Sequence, residues 1–312
     1  MNEFMGVIIA AGKGTRLYPI TQNYPKSLIP IANKSIMEYQ IELLKDVGIT
    51  EILIVVGHYG FEVTKVLGDG RKYGVTIQYV EQKEAIGSAN AVGITAKLIN
   101  KPFLLILGDI YFKVNHENLK KMLKDFLTSD ANGIIATKEV TDLQEIKENF
   151  AIQFQDDGKV IKVIEKPKKP INNIKGCGIY LFDDNIFEAI NRTPRTALRD
   201  EYEFTDSIQK FIELNYNVYY KNVIEEDINL NYTYDLYQLN MKIVAEREGK
   251  NIIGLNLKKG AGVSITNSVI GNDVTIQDNV ELVNCVLFND VEVKKNQKLE
   301  QCIITKNSIL RI

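Results

Sequence analysis

Short apolar runs alternate with helical patterns from residue 6 to residue 109, and no other feature narrows the possible folds as far. Residues 6–11 (GVIIAA) read as a strand buried on both faces. Residues 35–48 (SIMEYQIELLKDVG) read as a helix. Ser35 and Glu38 have capping-box spacing, apolar residues recur at three and four, and Gly48 can end it. Residues 51–57, 76–82 and 102–109 supply a second, third and fourth strand. Strands alternating with helices predict an α/β fold, a mixed and mostly parallel sheet with helices on both faces. Such sheets bind ligands beyond the carboxyl ends of their strands.

The rhythm changes near Ile252. Val269, Val274, Val280, Val286 and Val291 recur at five or six residues, with Gly, Asn and Asp between them. That spacing predicts a short C-terminal left-handed β-helix of the hexapeptide type, with about three coils. Ordinary hairpins are the competing reading and would not need so regular a period. Residues 232–249 look helical and would join the two parts. The expected domains are residues 1–248 and 249–312.

Length and composition exclude several classes. The chain has 312 residues, enough for one large domain plus an appendage or for two domains. It is 45% hydrophobic and 25% charged, with a formal net charge of -2. Nothing in these numbers suggests a nucleic-acid tail, a disordered chain or a membrane protein. No apolar stretch is long enough to span a bilayer, and no cleavable signal opens the chain. Cys177, Cys285 and Cys302 form no CxxC pair and are odd in number, so a reduced, cytoplasmic protein is expected. His58 and His116 lie far apart and read as surface or packing residues. A histidine-based zinc site or a Ser-His-Asp triad is therefore poorly supplied.

The loop after the first strand carries the chemistry. It runs Gly12-Lys13-Gly14-Thr15-Arg16-Leu17, with Lys26 further on and Pro19, Pro25 and Pro30 stiffening it. Glycines let a loop present backbone N–H groups to a phosphate. Leu17 breaks the dinucleotide fingerprint, and the Walker order is absent. Three cations fixed at a sheet's carboxyl edge suit a polyphosphate, Arg as a planar fork and Lys as a compact charge.

This segment resembles the signature GxGTRLxPxTxxxPKxLxPI of the sugar-1-phosphate nucleotidylyltransferases. The matching positions are Gly12, Gly14-Thr15-Arg16-Leu17, Pro19, Thr21, Pro25-Lys26, Leu28 and Pro30-Ile31. The motifs are closest to those of the glucose-1-phosphate thymidylyl- and uridylyltransferases, and the resemblance runs through nearly the whole chain. It implies a nucleotide-binding, Rossmann-like core followed by a sugar-binding part from about residue 139.

The resemblance also implies site residues. Ala10, Ala11, Gly12, Lys13, Gly14 and Thr15 would bind nucleotide, with Arg16 and Lys26 catalytic. Gln82, Gly87 and Ser88 would meet the base, and a glutamine amide suits the uracil or thymine edge. Asp109, in the family's "GD" pair, would hold Mg²⁺, and Asp227 would be the second metal ligand. Asp235 reads as a structural helix residue. Glu165 and Lys166, in "EKP", would meet the sugar hydroxyls and phosphate. Arg199 would be a second phosphate contact. Where the family has Tyr-Gly-Val, this chain has Phe150-Ala151-Ile152, so Ala151 is expected to narrow the sugar pocket. Gly178 lies in "GCGIY", a second departure beside the sugar.

The implied activity joins an NTP, UTP or dTTP favoured, to a sugar 1-phosphate, glucose 1-phosphate favoured, releasing pyrophosphate. The alternatives are a mannose-1-phosphate guanylyltransferase and a non-catalytic regulatory homologue that binds nucleotide-sugar. A bifunctional enzyme with an acyltransferase tail lacks a tail histidine to serve as base. Neither nucleic acid nor membrane is an expected partner. The open edges of a short β-helix predict a homo-oligomer, a dimer or a tetramer.

Overall fold

A computed structural model describes residues 3–22, 24–197 and 200–312. The chain divides into two compact units, Met1–Gly12 with Tyr39–Asp227, and Lys13–Glu38 with Ile228–Ile312. The change of rhythm near residue 249 is thus a change of repeat, while the compact units are drawn along other lines. Among the described residues, no helix is long and apolar enough to cross a membrane.

The first unit is built on β1 (Met5–Ala10), which pairs in parallel with β2 (Glu51–Val56) and β4 (Phe103–Leu107). β3 (Thr76–Glu81) extends the parallel set beside β2. β2 is buried from Ile52 to Val56, as a strand covered on both faces must be. Gly108 and Asp109 form a turn into β5 (Ile110–Val114), a strand that the sequence reading did not anticipate.

Beyond β4 the sheet becomes antiparallel. β6 (Gly133–Glu139), β7 (Phe150–Phe154), β8 (Val160–Glu165) and β9 (Ile174–Phe182) follow in the chain, and the last three extend the sheet in the order β8-β7-β9-β4-β1-β2-β3. β6 joins the other side of β9, and β10 (Val218–Asn222) pairs in parallel with β6. β11 (Ile224–Asn229) pairs with β5 in a separate two-stranded ribbon. The helices follow in chain order as α1 (Ile36–Asp46), α2 (Gly60–Leu67), α3 (Ser88–Gly93), α4 (His116–Thr128), α5 (Gln144–Lys147), α6 (Ile186–Arg192) and α7 (Phe204–Glu213), of which α1 and α7 matter to the candidate site. Ser35 and Glu38 form the expected capping box on α1. The Ser35 N–H donates to Glu38 Oε2 at 2.9 Å, and the Glu38 N–H donates to Ser35 Oγ at 3.3 Å.

The second unit contains the signature loop, α8 (Thr233–Glu246) and the β-helix. Stacked strands put Ile252 beside Val269, Val269 beside Val286, and Val286 beside Ile303. Each coil therefore takes 17 residues. Its corners need left-handed backbone, and three rows supply it. These are Asn256/Asp273/Asp290, Gly262/Asn279/Asn296 and Asn267/Asn284/Gln301, all at positive φ. Gly, Asn and Asp visit that region most readily, which explains the residues between the valines. Corner side chains also bond along a row, as Asn256 Nδ2 does to Asp273 Oδ1 at 2.9 Å. After the third coil the chain turns back, and Ile309–Arg311 pairs antiparallel with Cys302–Ile304. The last coil thus has part of its edge covered by its own chain.

Candidate functional site

The carboxyl ends of β1, β2 and β4 come together through glycines. A side chain at Gly57, after β2, would lie 2.4 Å from the Ala11 carbonyl oxygen. One at Gly108, after β4, would lie 2.6 Å from the Ile9 oxygen, which the Gly108 N–H itself reaches at 2.8 Å. Ala10 ends β1, Ala11 is buried, and Gly12 opens onto free space. Asp109 sits half-buried on the turn after β4.

Gln40 holds that turn, and sequence reasoning missed it. From α1 its Nε2 donates to both the Leu107 and the Ile110 carbonyls at 2.9 Å. These two carbonyls flank Gly108-Asp109. The amide can take no other orientation, because its oxygen would then face two oxygens. Gln40 is buried and its Oε1 has no hydrogen-bond partner. A polar side chain on the inner face of a helix was the only signal in the sequence.

Gln82, just past β3, lies buried over the loop expected to read the base. Its Nε2 donates to Asn90 Oδ1 at 2.9 Å and to the Gly87 carbonyl at 3.2 Å. Gly87 has φ 122, and a Cβ there would meet the Tyr202 N and O at 2.4 Å. The two segments are stitched together. The Tyr202 N–H donates to the Ile86 oxygen at 2.9 Å and the Ala89 N–H to the Tyr202 oxygen at 2.8 Å. Ser88 Oγ accepts from the Phe204 N–H at 3.0 Å, capping α7 from another segment. One residue on, Thr205 Oγ1 donates to Glu165 Oε2 at 3.1 Å. The base loop and the sugar carboxylate named in the sequence are thus one step apart. Lys166 has φ 45, its N–H bonds to the Asn149 oxygen at 2.7 Å, and its Nζ lies 3.7 Å from Glu165. Arg199 lies outside the described residues.

Three sequence expectations meet a different setting. Asp227, on β11, has a side chain only 1% exposed, with Oδ2 2.8 Å from Lys175 Nζ. Lys138 Nζ is 3.9 Å from its other oxygen, and Glu145 joins both lysines at 3.1 and 3.3 Å. A carboxylate closed inside such a quartet does not stand where a metal ligand must. Burial alone would lower the Lys175 pKa, but the Asp227 charge and hydrogen bond, with Cys177 and Glu145 adding to them, together outweigh it and hold it above the ordinary lysine value. Burial would raise Glu145, yet Lys138 and Lys175 bring it below the ordinary carboxylate value.

Ala151 is fully buried, in a cluster with Val140 and Ile146. Its methyl fills core and does not narrow a pocket. Gly178, at φ 90, has Ile110 and Leu107 methyls where a Cβ would be, so it too serves packing.

The signature loop, in the second unit, is knit around Gly14. Gly14 has φ 66, and a Cβ there would lie 3.0 Å from Lys26 Cβ. The bare backbone makes room for the Lys26 stem. Thr21 Oγ1 donates to the Gly14 carbonyl at 2.6 Å. Residues Thr15–Leu17 form a 3-10 turn anchored by the buried Leu17, which leaves Lys13, Thr15 and Arg16 exposed. Arg16 Nη1 reaches Asn231 Oδ1 at 3.4 Å. Asp235 Oδ2 accepts from the Asn231 and Tyr232 N–H groups at 2.9 and 2.7 Å and caps α8.

The donor set bears on the expected metal. Among the described residues, no group of three or more His, Cys, Asp or Glu could hold an ion. Mg²⁺ needs only one or two carboxylates, completed by water and substrate phosphates. Asp109 at a strand's carboxyl end fits that pattern and Asp227 does not. His58 packs on Tyr59, while His116 lies 3.7 Å from Asp46 at the surface. All three cysteines are buried and free.

Comparison with known proteins agrees with this layout. A family model described as nucleotidyl transferase matches residues 5–244. One described as a GlmU-like C-terminal hexapeptide matches residues 257–311, the left-handed β-helix expected from the valine period. The low-salt glycan biosynthesis nucleotidyltransferase Agl11 of Haloferax volcanii is 39% identical over 216 residues. That alignment takes in 68% of this chain and 58% of that protein's length. A glucose-1-phosphate thymidylyltransferase of Streptomyces antibioticus is 30% identical over 275 residues, 85% of this chain and 75% of that one. A solved structure of UDP-glucose pyrophosphorylase with UDP-glucose superposes at a TM-score of 0.68, covering 78% of this chain and 99% of the other. At 24% identity this last likeness is one of fold alone.

Proposed function

The chain belongs to the nucleotidyl transferase family, and on that premise we propose that it joins a nucleoside triphosphate to a sugar 1-phosphate. UTP or dTTP is the favoured nucleotide and glucose 1-phosphate the favoured sugar. A phosphate oxygen of the sugar 1-phosphate attacks the α-phosphorus in line. The bond from that phosphorus to the bridging oxygen of the β-phosphate breaks, and pyrophosphate leaves with its electron pair. The nucleophile is already an anion, so no general base is required. Catalysis is positioning and charge neutralisation.

Lys13, Arg16 and the loop's N–H groups hold the β- and γ-phosphates. Arg16 stabilises the charge that grows on the leaving pyrophosphate. Lys26 and Lys166 neutralise the α-phosphate and the attacking phosphate, with Arg199 as a further contact. Gln82 reads the base from the loop of Gly87 and Ser88, and Glu165 accepts from sugar hydroxyls. Asp109 would hold Mg²⁺, which would supply Lewis-acid charge at the triphosphate. Asp227 keeps a structural part in this proposal.

The observation that carries the reading is the stitched contact of residues 86–89 with residues 202–205. It brings the base-reading loop to within one residue of the hydroxyl that orients Glu165. Such a tie suits an enzyme that must hold a nucleotide and a sugar phosphate in one register. Gln82 favours a pyrimidine over guanine. Arg16, Lys26, Asp109 and Lys166 are all present, which weighs against a regulatory homologue. We place the protein in the cytoplasm as a homo-oligomer, with light scattering to test the assembly. Pyrophosphate release across a matrix of NTPs and sugar 1-phosphates tests the reaction. Release with UTP or dTTP and glucose 1-phosphate is expected, and GTP with mannose 1-phosphate as the best pair would overturn the assignment.

A further inference from the structure

The β-helix looks in sequence like an appendage, but it packs on the segment that carries Lys26. Tyr24 sets its ring edge-on to Phe288 of the third coil, with centroids 5.8 Å apart. Asn33 Nδ2 donates to the Ile270 carbonyl of the second coil at 2.6 Å. Between these contacts the Ala32 N–H donates to Asn240 Oδ1 on α8 at 2.8 Å, and Asn240 is itself fully buried. The segment is stiff. Leu28 and Ile29 N–H groups close a 3-10 turn on the Pro25 and Lys26 carbonyls, and Ser27, Leu28, Ile29 and Ile31 are buried. Burial raises the Tyr24 hydroxyl pKa, with Glu38 and Asp290 adding to it, as expected of a ring held against the third coil's corner. A short rigid turn fixed at both sides transmits any shift of its supports to its middle, where the Lys26 stem crosses Gly14.

We infer that coils two and three of the β-helix position Lys26, so that Tyr24, Asn33 and Phe288 are positioning residues for the sugar phosphate. The inference rests on the reading of Lys26 as a phosphate-neutralising cation. The β-helix is then part of the catalytic apparatus, and whatever binds or bends its coils acts on turnover through this turn.

The experiment is a mutant cycle on the full chain. Tyr24→Leu and Phe288→Leu keep apolar bulk but lose the ring contact. Asn33→Gly keeps the left-handed backbone (φ 67) and loses only the side-chain donor. Each should raise the KM for the sugar 1-phosphate and lower kcat, roughly 10-fold together, short of the ~10²-fold that a 1 Å misplacement can cost. The KM for the NTP should move little, which general destabilisation would not produce. Combined with Lys26→Ala, each should add almost nothing, because its effect passes through that residue. Amide hydrogen exchange at Leu28 and Ile29 should quicken in all three variants.

Wild-type kinetics in Asn33→Gly and Phe288→Leu, with only thermal stability lowered, would overturn the inference. So would losses that multiply with that of Lys26→Ala. If Lys26→Ala alone turned over normally, the phosphate role of Lys26 would fall and the inference with it. Faster exchange at residues 28 and 29 would then report packing without catalysis.

Discussion

Lys175 Nζ lies 2.8 Å from Asp227 Oδ2 with both side chains sealed from solvent, at 4% and 1% exposure. Two buried charges persist only as a pair, so Asp227→Asn should destabilise the protein by about 3–5 kcal/mol. Replacing both with apolar residues, Lys175→Met with Asp227→Leu, should recover much of that loss. The pH dependence follows from the shifts. The raised Lys175 pKa contributes stability below the ordinary lysine value, lost as pH rises through the raised one. The lowered Glu145 pKa contributes stability above the ordinary carboxylate value, lost as pH falls through the lowered one. Calorimetric melting temperature against pH should therefore fall at both extremes, and Asp227→Asn should flatten the alkaline limb.

Ser88, in the loop expected to meet the base, accepts the first N–H of α7 on its Oγ. Ser88→Ala should cost about 1 kcal/mol, the usual worth of such a cap. It should raise the KM of both substrates, because the same N–H belongs to the segment that orients Glu165. Denaturant unfolding and initial-rate kinetics check both statements. An increase confined to the NTP would instead mark Ser88 as a direct nucleotide contact.

Gln40→Met removes two donors from the Asp109 turn at nearly constant volume. Apparent Mg²⁺ affinity should weaken by about tenfold, as it does when a ligand loses its supporting hydrogen bonds. Mn²⁺ binding followed by electron paramagnetic resonance reads this without turnover. Unchanged Mn²⁺ affinity, with affinity lost in Asp109→Asn, would leave Gln40 a packing residue.

Cys177, Cys285 and Cys302 are each at most 1% exposed. A thiol reagent should find almost no reactive group in the native protein and three after denaturation. Rapid native labelling would show that the adjacent coils of Cys285 and Cys302 open.

Much of this architecture could be read from the residues because local rules act on local spacing. The capping box of Ser35 and Glu38, the four parallel strands and the tail's period all follow from neighbours in sequence. The coil corners could be read for the same reason, since Asn, Asp and Gly recur where the backbone turns left-handed. The Gln82, Gly87 and Ser88 loop stood out through its motif. What escaped depends on distant partners. Asp227 drew notice as an acidic residue before a helix, and its fate was decided by Lys175, 52 positions earlier, on another strand. Ala151 stands where a glycine was expected, and only the fold sends its methyl into the Val140 and Ile146 core. Gln40 and the contacts of Tyr24 and Asn33 with the β-helix join residues whose spacing carries no period at all.

The central claim is that the Gly14-to-Lys26 loop stabilises charge on a departing pyrophosphate, and Arg16 tests it most directly. It is exposed, and its hydrogen bond to Asn231 is long, so its removal should cost the fold little. The measurement is pyrophosphate release by the wild type and Arg16→Ala with glucose 1-phosphate and either UTP or dTTP. The account predicts a kcat lower by roughly 10² in the variant, with partial recovery in Arg16→Lys because an ammonium lacks the planar fork. Normal turnover by Arg16→Ala, with only its melting temperature reduced, would contradict the account and leave the loop a structural turn.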